Sequence, residues 1–324
     1  MNGETDTYSQ NLPPDLVAEI AAMCSRTVSP GLSVLTDALR SRFGQGLKAI
    51  LLYGSCLHND NITDGVVDLY VLVDNYRDSH QQRLLQILNA ILPPNVFYLE
   101  VQDQGHTLRT KYAVISLEDF EKAASHWFHP YIWARFAQPA RLLYTQDEAS
   151  RSRVNRALAQ AVMTFLDCSI PALGSCDTDT ETIWTQGLTL TYAAELRPEL
   201  HKTRAHQLVH LNMSDYITLT SCAAAALKTR PQVLPQGRYR CEINASDQRR
   251  SLRQWRLRRW QGRVLSILRL IKAALTFRDG VDYAAWKIER HTGISIDVTP
   301  GLRRYPLLLG PRVLWKLLRR GTLR

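Results

Sequence analysis

Two apolar runs in the first half of the chain predict neighbouring buried strands. The runs Leu47–Tyr53 and Val66–Val73 are almost wholly apolar, which is typical of strands that are buried on both faces. Two more strands are predicted at Asn95–Val101 and Leu108–Ser116, and helical spacing covers 14–25, 32–43 and 77–91. Because helices and strands alternate, the pattern indicates an α/β (α+β) domain with a mixed sheet.

The pattern changes after Tyr144. Helical spacing dominates from there on, at 148–169, 181–196, 203–228 and 247–277, and strand signals nearly vanish. A chain of 324 residues is also longer than one core usually supports. We therefore predict an α/β domain over residues 1–145, followed by a mainly helical domain over residues 146–324.

Charge is distributed unevenly between the two parts of the chain. Residues 1–229 hold 18 Lys/Arg and 24 Asp/Glu, whereas residues 230–324 hold 22 Lys/Arg and only 6 Asp/Glu. A basic C-terminal lobe on a mildly acidic body predicts a polyanionic partner, which could be nucleic acid, an anionic membrane or a phosphorylated substrate.

The start of the chain and its cysteines bear on where the protein works. Glu4, Asp6, Asp15 and Glu19 precede the first basic residue, Arg26, so we expect neither a secretory signal nor a transit peptide. No apolar run reaches the ~18 residues of a membrane-spanning helix. Six scattered cysteines without zinc-binding spacing are typical of a reducing compartment. The sequence thus predicts a cytoplasmic location.

The segment LLYGSCLHNDNITDGVVDLYVLVD (51–74) carries the strongest candidate chemistry. The first predicted strand runs into Gly54-Ser55, and Asp68 follows on the second strand after twelve residues. Glycine allows a sharp turn close to a ligand, and a serine that caps a helix start leaves backbone amides facing a phosphate. A carboxylate on the neighbouring strand can bind Mg²⁺ that is shared with substrate phosphates. These residues predict nucleotidyl transfer.

This spacing resembles the signature of the DNA polymerase β-like nucleotidyltransferase superfamily, in which hydrophobic-Gly-Ser precedes Asp-hydrophobic-Asp. Two acids at i and i+2 share one face of a strand, but here Val66 and Tyr70 flank Asp68 at those positions. Asp74 is ~20 Å away along an extended strand, too far to share a metal. Glu100 on the following strand is therefore the predicted second ligand. The alternative is an ordinary Gly-Ser turn between two strands.

More of the chain resembles the mitochondrial phosphatidate cytidylyltransferase family (the translocator assembly and maintenance proteins) and its bacterial relatives. Four ordered segments carry this resemblance: YGS with VVDLYVLVD, LRTKYAVISLEDF (108–120), HPYIWARFAQPARLLY (129–144) and LTYAAELR (190–197). The family also has a single acid at the Asp68 position. One departure is Cys56, which stands where the family has a glycine after Gly-Ser.

The resemblance implies Mg²⁺-dependent transfer of CMP from CTP to phosphatidic acid, giving CDP-diacylglycerol for phospholipid biosynthesis. It implies that Asp68 and Lys111 are catalytic and that Asp68 holds the metal, with Glu100 remaining the second ligand predicted from the strand positions. The implied nucleotide-binding residues are Tyr53, Gly54, Ser55, Lys111 and Arg135. Glu195 and Arg197 match an acid/arginine pair of the family and are a possible part of the site.

Several of these residues have simpler interpretations. Lys111 lies within an apolar stretch, where a lysine either meets an anion or extends to water. Arg135 could hold a phosphate or form a structural ion pair, and Glu195 with Arg197 could be an ordinary pair at a helix end. His206 and His210 share a helix face, but we expect no metal role for them because cytidylyl transfer uses oxygen ligands.

The C-terminal segment predicts an amphipathic helix that binds an anionic membrane. Its basic face holds Arg312, Lys316, Arg319 and Arg320, Leu and Val fill the other side, and Trp315 lies near the boundary. The upstream stretch RRSLRQWRLRRWQGR (249–263) adds seven arginines and two tryptophans. The alternatives are a terminal helix docked on the protein, or stacking on single-stranded nucleic acid. The leucine-rich face favours lipid, so we do not expect nucleic acid as a partner.

Taken together, the sequence predicts a peripheral enzyme on the inner face of a bacterial inner membrane, or on the matrix side in mitochondria. Two other functions stay open. One is a nucleotidyltransferase with a different acceptor, such as another lipid phosphate, a sugar phosphate or an RNA end. The other is a catalytically degenerate module that binds membrane or nucleic acid.

Overall fold

The computed structural model describes residues 12–57, 62, 65–79, 82–103, 105–195, 201–276 and 299–301. Within these residues the chain forms helices and strands in alternation, with short 3₁₀ turns between some of them. The helices are α1 (Pro14–Cys24), α2 (Leu32–Phe43), α3 (Tyr76–Ser79), α4 (Arg83–Ile91), α5 (Leu117–Ser125), α6 (Trp133–Phe136), α7 (Glu148–Leu173), α8 (Thr180–Ala193), α9 (His201–Leu211), α10 (Met213–Ala224) and α11 (Ala245–Thr276). The strands are β1 (Leu47–Tyr53), β2 (Val67–Val73), β3 (Asn95–Asp103), β4 (His106–Ser116), β5 (Arg141–Thr145), β6 (Cys176–Asp179), β7 (Gln232–Leu234) and β8 (Arg238–Cys241).

The chain folds into two compact units whose segments interleave along the sequence. The helical unit contains the described residues up to Val28 together with Ser116–Ile267. The α/β unit contains Ser29–Ile115 and the described residues from Leu268 onward. The domain boundary predicted at residues 145/146 falls inside the helical unit.

The α/β unit is built around four neighbouring strands in the order β3-β4-β2-β1. β1 pairs antiparallel with β2, and β3 pairs antiparallel with β4. Most residues of β1 and β2 are fully buried, as their apolar runs predicted. Helix α2 packs on β1 and β3, and α4 packs on β3. These elements confirm the predicted α/β class.

A buried lysine near the end of α11 contacts the connection between α4 and β3 within the α/β unit. The ammonium group of Lys272 is buried and donates hydrogen bonds to the carbonyls of Leu92 and Pro94, the latter at 2.7 Å. Leu92 and Pro94 lie in the connection between α4 and β3. Burial, reinforced by the positive charge of Arg269, lowers the pKa of Lys272 to about 7.

The helical unit is organised around the long helix α7, which packs against α1, α5, α6 and α8. Its core contains a column of stacked aromatic rings. Phe165 stacks on Trp184 at 4.5 Å between ring centroids, and Trp184 stacks on Tyr216 at 4.1 Å. The indole nitrogen of Trp184 donates a 2.8 Å hydrogen bond to Thr220 Oγ1, which satisfies its one buried polar group.

Two details of the helical unit correct the sequence prediction. First, β6, β8 and β7 form a three-stranded antiparallel sheet in a region where strand signals were nearly absent. These strands are three or four residues long and partly exposed, so they carry no hydrophobic run. Second, the predicted helix 203–228 is two helices, because Asn212 leaves the helical conformation at φ −126° and ψ 25°.

Candidate functional site

The turn that follows β1 brings the backbone close to a carboxylate. Gly54 adopts φ +85°, a conformation that residues with a side chain rarely adopt, and Ser55–Leu57 form a single 3₁₀ turn closed by a hydrogen bond from Leu57 N to Gly54 O. A Cβ atom placed on Gly54 would lie 3.4 Å from Asp68 Oδ2. The glycine therefore supplies both the sharp turn and the close approach to Asp68.

A buried aromatic side chain lies two residues beyond Asp68 on the same strand. Tyr53 of β1 lies directly opposite Asp68 of β2. Tyr70, two residues further along β2, points to the same face as Asp68 and is fully buried. Its ring packs edge-on against Tyr53, with 5.2 Å between the centroids. This arrangement leaves Asp68 without a neighbouring carboxylate at the i+2 position.

Lys111 is the charged partner of Asp68. Its Nζ lies 3.1 Å from Asp68 Oδ1, across the neighbouring strands β4 and β2. The hydroxyl of the preceding residue, Thr110, donates a 2.9 Å hydrogen bond to the carbonyl of Val67 and so links the same two strands. The side chains of Lys111 and Asp68 are 38% and 28% exposed, so a solute can reach them. One carboxylate oxygen thus faces an ammonium group, and the other faces the Gly54 turn.

Glu100, the predicted second metal ligand, is engaged elsewhere on the sheet. Its Oε1 accepts a 2.6 Å hydrogen bond from the Tyr98 hydroxyl and a 3.1 Å hydrogen bond from Arg109 Nε. Burial and the hydrogen bond to Glu100 raise the pKa of Tyr98. Glu100 lies on β3, with β4 and its Lys111 between it and the strand of Asp68. Among the described contacts, none joins Glu100 to Asp68.

Arg135 and Glu195 meet each other in the helical unit. Arg135 Nη2 lies 3.9 Å from Glu195 Oε1, and both side chains are largely buried. The guanidinium also lies over the ring of Tyr131, 4.4 Å from its centroid. Asp68 and Lys111 belong to the α/β unit instead. Arg197, the predicted partner of Glu195, lies outside the described residues.

The arginine-rich stretch 249–263 belongs to α11 and is only partly a surface. Trp255 and Arg258 are buried, and Arg258 donates a 2.9 Å hydrogen bond to the carbonyl of Phe128. Trp260, in contrast, is 70% exposed. The exposed arginines of the stretch are Arg249, Arg250, Arg253, Arg256 and Arg263. The predicted tail residues Arg312, Trp315, Lys316, Arg319 and Arg320 lie outside the described residues.

Sequence reasoning missed one cluster of potential ligands. Glu181, His206 and His210 place their ligand atoms within 4.8 Å of one another. The four-residue spacing of the two histidines indicated a shared helix face, but it could not identify the acid on the neighbouring helix α8. The carboxylate completes the cluster only in the folded chain.

In the part of the chain that the structure describes, no helix is both long enough and apolar enough to cross a membrane.

Comparisons with known proteins leave the family open. No family model matches the chain, and no curated protein matches it. One solved structure it matches is that of a nucleotidyltransferase-like protein from Exiguobacterium sibiricum 255-15, with 10% sequence identity and a TM-score of 0.23 over 90% of this chain and 92% of that chain. A TM-score this low supports no conclusion about fold or function. The proposals below therefore depend on the residues themselves.

Proposed function

We propose that the protein is a Mg²⁺-dependent nucleotidyltransferase, and specifically a CTP:phosphatidate cytidylyltransferase that makes CDP-diacylglycerol and pyrophosphate. The observation that carries this proposal is the contact between the Gly54 turn and Asp68, with Lys111 beside them. A backbone turn at a glycine, a carboxylate and an ammonium group together are suited to binding a triphosphate and its metal ion.

The nucleotide phosphates would bind at the turn formed by Tyr53, Gly54 and Ser55. Because Gly54 has no Cβ, a phosphate can approach the backbone where a side chain would otherwise stand. Lys111 supplies positive charge next to that position and would neutralise charge that develops on the α-phosphate or on pyrophosphate. Arg135 and the pair Glu195–Arg197 are proposed for the site from sequence resemblance alone.

The donor atoms at Asp68 fit a magnesium ion. Mg²⁺ is commonly held by one or two carboxylates together with substrate phosphates and water, so a single aspartate is a sufficient protein anchor. Lys111 contacts Asp68 Oδ1, whereas Oδ2 lies beside the Gly54 turn, on the side where the phosphates would lie. To act as a second ligand of the metal, Glu100 would have to lose the hydrogen bonds that it accepts from Tyr98 and Arg109.

The reaction needs no protein nucleophile. An oxygen of the phosphate monoester of phosphatidic acid attacks the α-phosphorus of CTP, the bond from that phosphorus to the bridging oxygen breaks, and pyrophosphate leaves. Bound Mg²⁺ supplies Lewis-acid stabilisation of the phosphate oxygens. Asp68 would hold that charge in place, and Lys111 would keep the Asp68 carboxylate oriented.

Exposed residues of α11 support a lipid acceptor held at an anionic membrane surface. Trp260 is 70% exposed and Leu257 is 59% exposed, and five exposed arginines accompany them within residues 249–263. Arginine with exposed Trp and Leu suits the interface of an anionic leaflet. We propose a peripheral association with the inner face of a membrane, to which the basic tail 311–324 would contribute.

A second candidate is a nucleotide-binding module without catalysis. The observation that favours it is the fully buried Tyr70, which occupies the position of the second acid of polymerase-type sites. Such a module would bind CTP and anionic vesicles without releasing pyrophosphate. Turnover therefore separates the two candidates, whereas binding does not.

The test is an acceptor screen with α-labelled CTP and Mg²⁺. Phosphatidic acid vesicles, a soluble short-chain phosphatidic acid, a sugar phosphate and an RNA oligonucleotide would be offered in parallel. We expect label to move only into the lipid phase with phosphatidic acid. Label on another acceptor would support nucleotidyltransferase activity but would contradict phosphatidic acid as the substrate. Nucleotide binding without label transfer to any acceptor would favour the module.

A further inference from the structure

A cluster of three metal-ligating side chains lies in the helical unit, separate from the residues assigned to catalysis. Glu181 is in the first turn of α8, and His206 and His210 lie one turn apart on α9. Both histidines direct Nε2 at the same carboxylate oxygen, Glu181 Oε1, at 3.2 and 3.3 Å. The two imidazole rings are 4.4 Å apart between centroids.

The two distances from the histidine nitrogens to the carboxylate oxygen match the spacing of ligands around a small metal ion. Zn²⁺ binds histidine nitrogen and carboxylate oxygen at ~2.0–2.1 Å, and in a tetrahedral site two such ligand atoms are then about 3.3–3.4 Å apart. The two Nε2–Oε1 distances, 3.2 and 3.3 Å, lie at or just below the lower end of this range. All three ligand atoms lie within 4.8 Å of one another, so an ion could enter between them after an adjustment of the side chains.

The surroundings of the cluster make it accessible and partly preorganised. The side chains of Glu181, His206 and His210 are 38%, 54% and 57% exposed, so a hydrated ion can reach them and a water molecule can complete the coordination. Glu181 is held by the N-terminal turn of α8, where Asp179 caps the helix by accepting a 2.8 Å hydrogen bond from Thr182 N. Helices α8 and α9 pack directly against each other.

We propose that Glu181, His206 and His210 form a binding site for a divalent transition-metal ion of the Zn²⁺ type. Two imidazoles and one carboxylate select such an ion over Mg²⁺, which prefers oxygen ligands only. The bound ion links α8 to α9 and stabilises the helical unit, because it binds the folded chain and the three ligands are not preassembled in the unfolded one. This site is independent of the proposed cytidylyltransferase activity at Asp68.

The test is titration of the metal-free full chain with ZnCl₂ by calorimetry, together with thermal melting. The ligand variants are Glu181→Gln, His206→Gln and His210→Gln. His106→Gln is the matched control, because His106 is an exposed histidine of the α/β unit. Cys176→Ser is a second control, since Cys176 lies opposite Cys241 in the pairing of β6 with β8 and thiols also bind zinc.

We expect one Zn²⁺ site that raises the melting temperature of the wild type. Each ligand variant should weaken this site by at least ~10-fold, the low end of what even outer-shell partners of a metal contribute. Both controls should bind like the wild type. Unchanged zinc binding in the His206→Gln/His210→Gln double variant, or loss of binding in Cys176→Ser, would overturn the proposal.

The visible spectrum of the wild type with Co²⁺ tests the site without any variant, in case a ligand variant does not fold. Co²⁺ takes the place of Zn²⁺ in mixed nitrogen and oxygen sites and reports its coordination geometry through its visible absorption. As Co²⁺ is added, we expect the visible absorption bands of a four- or five-coordinate ion to grow and then saturate. Added Zn²⁺ should abolish these bands. A spectrum identical to that of Co²⁺ in buffer would contradict the site.

Discussion

Lys111 Nζ lies 3.1 Å from Asp68 Oδ1, and the other oxygen of the same carboxylate faces the Gly54 turn. The ion pair joins the neighbouring strands β4 and β2 of the α/β unit, which the hydrogen bond from Thr110 Oγ1 to the carbonyl of Val67 also joins. The lysine therefore holds the carboxylate in one orientation. We propose that both the metal and the nucleotide phosphates bind beside Asp68 Oδ2.

Replacing Asp68 tests the anchor of the metal. Asp68→Asn keeps the shape of the side chain and removes its charge, so turnover of CTP should fall by at least ~10²-fold, the effect of losing one preorganised electrostatic group. The measurement is the initial rate of pyrophosphate release. Asp74→Asn is the control, because Asp74 is an exposed acid that pairs with Lys48 at 3.5 Å. Equal rates in the two variants would place the metal elsewhere.

Changes at Lys111 separate a charge effect from a packing effect. Lys111→Met retains most of the aliphatic stem but loses the cation, so we expect a ~10²-fold fall in kcat. Lys111→Arg restores a positive charge opposite Asp68 and should recover part of that loss. Steady-state kinetics on CTP give both values. If Lys111→Met and Lys111→Arg are equally impaired, geometry and not charge is the requirement at this position.

A side chain at Gly54 should lower the free energy of unfolding. Gly54→Ala places a Cβ 3.4 Å from Asp68 Oδ2 and forces alanine to φ +85°, a left-handed conformation that costs roughly 1–2 kcal/mol. We expect that loss in the free energy of unfolding, measured in urea. Gly46→Ala is the matched control in the same unit, since a Cβ at Gly46 meets nothing within 4 Å and φ is not positive there. An unchanged free energy of unfolding in Gly54→Ala would contradict the left-handed conformation at this position.

Lys272 should make the stability of the α/β unit depend on pH. Its pKa falls to about 7 in the folded chain and is ~10.4 when unfolded, so between these values the unfolded chain binds more protons. The free energy of unfolding should therefore rise from pH 7 towards pH 10 through this group. Lys272→Met removes that contribution, and urea denaturation across the pH range should show a flatter curve. Parallel curves for wild type and variant would refute the shift.

Truncation of the tail tests the membrane proposal. Deleting residues 311–324 removes five basic residues and a leucine-rich face, so we expect loss of most sedimentation with anionic vesicles and of most activity on them. CTP binding and activity on a soluble short-chain phosphatidic acid should largely survive. If both activities and CTP binding disappear together, the tail is a structural part of the fold.

The sequence predicted the elements around Asp68 well, since β1 and β2 are buried on both faces and are therefore apolar throughout. The glycine turn was also visible, because few residues other than glycine fit there. The pairing of Lys111 with Asp68, and of Glu100 with Arg109, depends on strand register and could not be inferred from spacing. Register is set by the folded sheet.

The helical unit was harder to predict for a different reason. Its small sheet consists of short, partly exposed strands whose stability comes from pairing with each other, so their residues show no alternating pattern. Arg258 was counted among surface charges, yet it is buried against Phe128 and Trp255. Composition alone does not distinguish a solvated arginine from one that packs on aromatic rings.

The proposed reaction and its metal-binding aspartate are tested together by one assay. It measures formation of labelled CDP-diacylglycerol from α-labelled CTP, Mg²⁺ and phosphatidic acid vesicles, with the wild type and with Asp68→Asn. We expect lipid-extractable label and stoichiometric pyrophosphate with the wild type only when Mg²⁺ and phosphatidic acid are both present. With Asp68→Asn we expect at least ~10²-fold less of both. A folded wild type that forms no labelled lipid, or an Asp68→Asn variant that forms as much as the wild type, would contradict this proposal.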